Sequence, residues 1–232
     1  MSKPLCDAIA KVRNRLRHIP NSNILYLDET YYRLDEAPKH TLVAPAQYEF
    51  VQVYADSRYA GRYDMITFIS GDTVLPPIIY SPEERKELEV KGIRAFMLNE
   101  FIEDYIGRAV AGLDKYPLYL MCDQSNIHNL EKMKESFEDG FCFEIVDISF
   151  LPATAAKRLS PLDNGIYHSW KERCRNHYPL NPNNIKQIMN DEWMKITPQQ
   201  IATAFKHCGL TNTLDTYYDC PNPDTHKHRS KT

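Results

Sequence analysis

Three strand-like runs in this chain stop at an aspartate: NILYLDET at Asp28, PLYLMCDQSNIH at Asp123 and RLSPLDNGIYHSWK at Asp163. A strand that is apolar at successive positions has both faces covered, so it belongs in a buried sheet with helices on either side. A carboxylate where such a run ends is delivered to the rim of the sheet, where it can be hydrated and can bind a hard cation. Two or three carboxylates converging there repel one another unless a divalent ion, commonly Mg2+, neutralises them. The pattern therefore predicts an α/β fold with an acidic metal site at one sheet edge, suited to phosphate chemistry.

At 232 residues the chain can form one large α/β domain with small terminal additions. Its 43% hydrophobic and 25% charged residues are ordinary globular usage. A net charge of -3 gives no basic excess, so any contact with nucleic acid has to use local patches. The six cysteines show no C-x-x-C spacing and several sit in apolar runs, which predicts reduced structural thiols rather than disulfides or zinc. No apolar stretch approaches the roughly 20 residues of a membrane helix, and the N-terminus has no apolar leader segment. The expectation is a soluble intracellular protein that makes no use of a membrane.

Along the chain, residues 1–22 read as a basic amphipathic helix. Leu5, Ile9, Val12, Leu16 and Ile19 recur at spacings of three and four, while Lys11, Arg13, Arg15 and Arg17 lie largely opposite. Residues 23–210 read as the main domain and 211–232 as a polar, mobile tail. Within the domain a strand over 23–28 precedes a polar stretch to Pro45 and a tyrosine-rich segment, QYEFVQVYADSRYAGRY, with strand and turn character. A hairpin follows, its arms at 65–69 and 74–80 joined at Gly71-Asp72. Helices are expected from Pro82, over AFMLNEFIEDYIGRAVAGL with Phe96, Phe101, Ile102, Tyr105, Ile106, Ala109 and Val110 on one face, and from near Asn126 to Gly140. Strands at 118–122 and 143–148 alternate with them, and three helical segments close the domain: one from Pro161 through Trp170 and Arg175, then NPNNIKQIMNDEWMKI and TPQQIATAFKHCGL, which ends at Gly209.

Several of these segments resemble the catalytic domain of the mariner/pogo superfamily of cut-and-paste DNA transposases. That family's first motif is a strand ending Asp-Glu-Ser/Thr, here LYLDET, and its second, Asp-Asn-Ala-x-x-His after a strand, is similar to CDQSNIH, with Gln124 in place of Asn. The third, a Ser-Pro stretch leading to an acid at a helix start with a tryptophan beyond, is similar to LSPLDNGIYHSW. The resemblance implies an RNase H-like fold, a mixed five-stranded sheet flanked by helices. It implies a DNA endonuclease and strand-transferase core that uses two Mg2+ or Mn2+ ions about 4 Å apart. Asp28, Asp123 and Asp163 would be both catalytic residues and metal ligands, with Asp28 bridging. DNA is the implied partner, bound by a homodimer at paired ends, and nuclear residence would follow in a eukaryote. The family's N-terminal pair of helix-turn-helix domains has no counterpart in this sequence.

Around the triad, Glu29 points to the opposite side if its strand continues, so Glu29, Asn126 and His128 are expected to support the site rather than form it. Glu172 and Asp147 are the next acids in line should Asp163 have another role. Arg13, Arg15 and Arg17, with Lys171, Arg173 and Arg175, are the candidate DNA contacts, and a solvated basic face is the plainer reading of each set. Trp170 is expected in the core. The sequence leaves three functional readings open: an active transposase core, a domesticated and inactive DNA-binding or protein-interaction module, and an RNase H-like nuclease.

Overall fold

A computed structural model of the chain describes residues 2–36, 61–113, 115, 117–140, 142, 143 and 145–210. Most of the tyrosine-rich segment and the tail from 211 lie outside the described residues. Among the described residues five strands form one sheet: β1 Ile24–Arg33, β2 Arg62–Ile69, β3 Ile78–Tyr80, β4 Leu118–Cys122 and β5 Ile145–Phe150, in spatial order β3-β2-β1-β4-β5. β1, β2 and β3 pair antiparallel, whereas β4 runs parallel to both β1 and β5. The expected mixed five-stranded sheet is thus present, with the hairpin at its antiparallel edge and helical crossovers on its parallel side.

Side-chain alternation along β1 divides the core. Ile24 and Tyr26 join one hydrophobic cluster and Leu25 and Leu27 the other, which is why this run is apolar at every position. The first cluster packs under α1 Lys3–Leu16, α7 Tyr167–Arg175, α8 Ile185–Met194 and α9 Pro198–His207. α1 buries Cys6, Ile9, Val12 and Leu16, the positions its periodicity predicts. Trp170 and Trp193 are fully buried with ring centroids 6.3 Å apart, and their indole nitrogens donate to the carbonyls of Met189 and Leu75. Each tryptophan so buries its apolar body without leaving its one donor unpaired.

The second cluster packs under α3 Ala95–Phe101, α4 Gly107–Ala111 and α5 Leu130–Asp139. A π-helical turn over Ile102–Ile106 joins α3 to α4 and adds a residue to the helical repeat. Tyr105, expected on the buried face, lies in that turn and is 65% exposed; Phe96, also expected there, is 43% exposed because α3 buries Met97, Leu98 and Phe101 instead. α4 crosses α5 closely at two glycines. A Cβ built on Gly107 would lie 2.8 Å from the Gly140 carbonyl oxygen, so the crossing requires their bare backbones.

Several boundaries differ from the sequence expectation. α2, Pro82–Glu87, starts at Ser81 through a capping box with Glu84 and is short. β2 begins at Arg62 rather than 65, and β5 spans Ile145–Phe150 rather than 143–148. α5 begins at Leu130 because the Asn129 side chain caps it by accepting from the Lys132 N–H. β1 runs on to Arg33, so Asp28 lies inside a strand and not at its end. Asp163 does not end a strand at all: α6, Ala156–Leu159, precedes it, and Asp163 falls in the kinked turn Leu162–Ile166, non-helical at Asn164 and Gly165, that leads into α7. Pro161, a residue tolerated only in the first turn of a helix, stands between these two pieces. Cys122, Cys142, Cys174 and Cys208 are buried thiols as expected, but Cys6 is disulfide-bonded. A bridge between isolated cysteines leaves no spacing signature in a sequence.

Candidate active site

Asp28 reaches the rim of the sheet although its strand continues. β1 pairs with β4 only from Ile24 to Leu27, ending at Leu27–Cys122, so beyond that step one flank of β1 is open. Asp28 stands at the first unpaired position on that flank, and Asp123 follows the last residue of β4. The turn Leu162–Ile166 brings Asp163 to the same place. All three carboxylates line one cleft of about 300 Å3, together with Glu29, Lys157 and Ser160. The structure therefore brings the predicted triad into a single site.

The backbone beneath Asp28 is fixed from the hairpin strand. Thr67, its partner in β2, donates its hydroxyl to the Asp28 carbonyl at 3.0 Å, and the buried Tyr167 hydroxyl donates in turn to Thr67 at 2.7 Å. The Glu29 N–H donates to Asp28 Oδ1 at 2.8 Å. Burial pushes the Asp28 carboxyl up to about 8, and Glu29, Asp163 and Asp123 push the same way. Burial likewise raises Asp163; Lys157 opposes that rise and Asp123 adds to it.

Glu29 was expected to point away from the site because β1 continues, yet it too lines the cleft, where it meets His128. His128 is buried, with Nε2 donating to Glu29 Oε1 at 2.8 Å and Nδ1 donating to the Asp123 carbonyl at 2.8 Å. Nδ1 also lies 3.2 Å from Asp123 Oδ1. Burial alone would lower this imidazole, but its bonds with Asp123, Cys122 and Glu29 overcome that and push it up to about 12. Glu29, Asp123 and His128 each offer a ligand atom within 4.8 Å of the others, a spacing that suits a metal. Yet both His128 nitrogens are committed as donors, so it offers no lone pair and acts as a clamp on the two carboxylates.

The donor set of Asp28, Asp123 and Asp163 fits a hard divalent cation. All its oxygens are of the type that Mg2+ and Mn2+ prefer, and among the described residues the partner of Asp123 Oδ1 is the His128 imidazole, 3.2 Å away. An ion would offset the burial and the mutual repulsion that together raise Asp28. Asn126 is exposed in the turn before α5 and does not line the cleft. Asp147 and Glu172 lie outside it too, paired with Arg15 and Arg175.

None of the six candidate DNA-binding cations lines the cleft. Arg13 donates Nε to the Cys208 carbonyl at 2.8 Å, and Arg15 pairs with Asp147 and donates to Ser149. Arg17 donates to His18, and the Lys171 ammonium sits 4.8 Å from the centroid of the Tyr31 ring. Arg173 holds the buried Glu192, and Arg175 bridges Glu36 and Glu172. The cation that does line the cleft is Lys157, which the sequence reading passed over. It is exposed and makes no ion pair among the described residues, and Asn164 holds its carbonyl at 2.9 Å and that of Ser160 at 2.8 Å. Its only sequence signal was its place in AAKRLSP, a few residues before Asp163.

No protein-family model matches the chain, and no curated protein is similar to it in sequence. Among solved structures it is similar to a Mos1 transposase paired-end complex with left transposon end, with TM-score 0.66 and 12% identity over 90% of this chain and 60% of that one. A Mos1 mariner paired-end complex with Mn gives TM-score 0.66 at 13% identity, again over 90% of this chain and 60% of the other. The catalytic domain of Mos1 mariner transposase gives 0.57 at 11% identity, covering 89% of this chain and 87% of that domain. The chain thus spans about 60% of the longer transposase chains and nearly all of the catalytic domain. At these identities the likeness establishes the fold, the RNase H-like fold of a mariner transposase catalytic domain.

Proposed function

We propose that this chain is a divalent-metal-dependent DNA nuclease and strand-transfer domain of the transposase type. The observation that carries the reading is the convergence of Asp28, Asp123 and Asp163, from β1, the end of β4 and the start of the α7 region, on one cleft in this fold. They are the residues that would hold Mg2+ or Mn2+. Two such ions, when bound, would activate a water or a 3′ hydroxyl and stabilise the leaving oxygen of a phosphodiester.

The protein's own residues have distinct tasks in this scheme. Asp28 supplies a carboxylate on a backbone that Thr67 and Tyr167 hold rigid. His128 fixes Asp123 and Glu29 relative to each other. Lys157 offers a positive charge at the mouth of an otherwise acidic cleft, where a phosphate of the DNA would approach. Because Arg13, Arg173 and Arg175 are engaged inside the protein, Lys157 is a stronger phosphate contact than any of them. Arg15, Arg17 and Lys171 remain outer contacts for flanking DNA, and a homodimer on paired ends belongs to the same proposal.

The test is a pre-cut duplex with a free 3′ hydroxyl, incubated with target plasmid and Mn2+. Joined products support the transposase reading. Nicking without joining replaces it with a nuclease, and neither reaction replaces it with a non-catalytic module.

A further inference from the structure

A second concavity begins at the acid cleft. Asp163 lines both, and the second is a groove of about 580 Å3 between the Leu162–Ile166 turn with α7 on one wall and α9 on the other. Buried Ile166, Ile196 and Ala204 make its apolar floor. His168, Gln199 and His207 are exposed along its walls, and among the described residues their side chains have no hydrogen-bond or ion-pair partner. Gly165 stands between the acid and the groove with φ +118, and a Cβ there would meet nothing within 4 Å, so the passage from Asp163 is open.

We propose that this groove binds the nucleotide next to the phosphate held at the acids, with its base over Ile166, Ile196 and Ala204 and its edge toward His168, Gln199 and His207. This rests on the reading of the cleft as a DNA site and names where the adjoining strand goes. A nucleobase presents an apolar face with polar edges, and the groove presents an apolar floor with unpaired polar side chains. The lining contains no lysine or arginine, which argues for a base rather than the phosphate backbone. Its volume lies within the roughly 300–1,000 Å3 of sites that enclose small ligands.

The experiment uses the full chain and a nicked duplex carrying 4-thiothymine at the base beside the nick, or, as a control, about five nucleotides away. After irradiation, cross-linked peptides are mapped. The expected result is cross-linking to the 164–168 or 199–207 segments from the base beside the nick and not from the control. Thr203→Trp, which fills the groove from an exposed position, and the double variant His168→Ala/Gln199→Ala should each lower that cross-link at least fivefold. Both should keep the wild-type rise in melting temperature with Mn2+. Cross-links confined to other segments, or wild-type cross-linking in both variants, would overturn the groove assignment. Failure of the wild type to respond to Mn2+ would instead count against the metal site, and the cross-link would still decide the groove.

Discussion

Replacing Asp28 by Asn should stabilise the metal-free protein and abolish its response to metal. Asp28 has a carboxyl raised from 3.8 to about 8, first by burial and then by Glu29, Asp163 and Asp123. Between those values the folded chain holds a proton that the unfolded chain has lost, so the contribution of Asp28 to stability is fully present below 3.8 and is lost as pH rises through about 8. Four units at about 1.4 kcal/mol each set a ceiling of about 6 kcal/mol, and solvent in the open cleft reduces this to about 2 kcal/mol. Asn carries no charge and can still accept from the Glu29 N–H through its side-chain oxygen. In EDTA, Asp28→Asn should therefore gain on wild type as pH rises from 5 to 8.5, reaching about 2 kcal/mol, or roughly 4–8 °C in melting temperature for a chain of this size. In Mn2+ at pH 7.5 the order should invert, because only wild type gains the binding energy, about 2.7 kcal/mol at a hundredfold excess over Kd. Melting followed by circular dichroism reads both arms. A variant that melts at or below wild type in EDTA at every pH, or gains as much from Mn2+, would refute the reasoning.

Other residues give separate outcomes. His128→Ala leaves Glu29 and the Asp123 carbonyl without their shared donor and should cost about 2–4 kcal/mol in urea unfolding, with His128→Gln recovering part of it. Lys157→Ala should leave the melting temperature within a degree or two, weaken DNA binding and reduce the salt slope of log K by about one, as measured by fluorescence anisotropy; an unchanged slope would remove Lys157 from the interface. Arg173→Ala should do the reverse, lowering stability by about 2–3 kcal/mol because it strips the buried Glu192 of a partner, with little change in the salt slope.

The fold was legible where the chain states it locally. ILYL and LYLMC are apolar on both faces and became the central parallel pair, and the Gly-Asp turn with its flanking strands became the hairpin. Reading became less reliable where a residue's meaning depends on a distant neighbour. Asp28 lies mid-strand, but it still reaches the rim because β4 stops pairing one step earlier, which no local pattern reveals. Tyr105 was misplaced because one π-helical turn shifts the helical period, and Phe96 because it stands five residues from Phe101, off the face that α3 buries. The basic residues were visible but their partners were not: Arg13 is held by Cys208, 195 positions away, and Arg15 by Asp147. Lys157 was overlooked because a lone lysine in a short helix has no periodic signature. At the site, the three acids and His128 were all legible as motif residues, but the two donor contacts that make His128 a clamp follow only from the burial of the turn before α5.

The most direct test of the account is calorimetric titration of Mn2+ into wild type and into Asp123→Asn, beside a nicking assay on supercoiled DNA. Of the three aspartates, Asp123 is the one that both lines the cleft and meets His128. The account predicts saturable binding and nicking in wild type, and loss of both in a variant whose melting temperature in EDTA is not lowered by more than a few degrees. Binding and nicking of equal strength in the two proteins would contradict it.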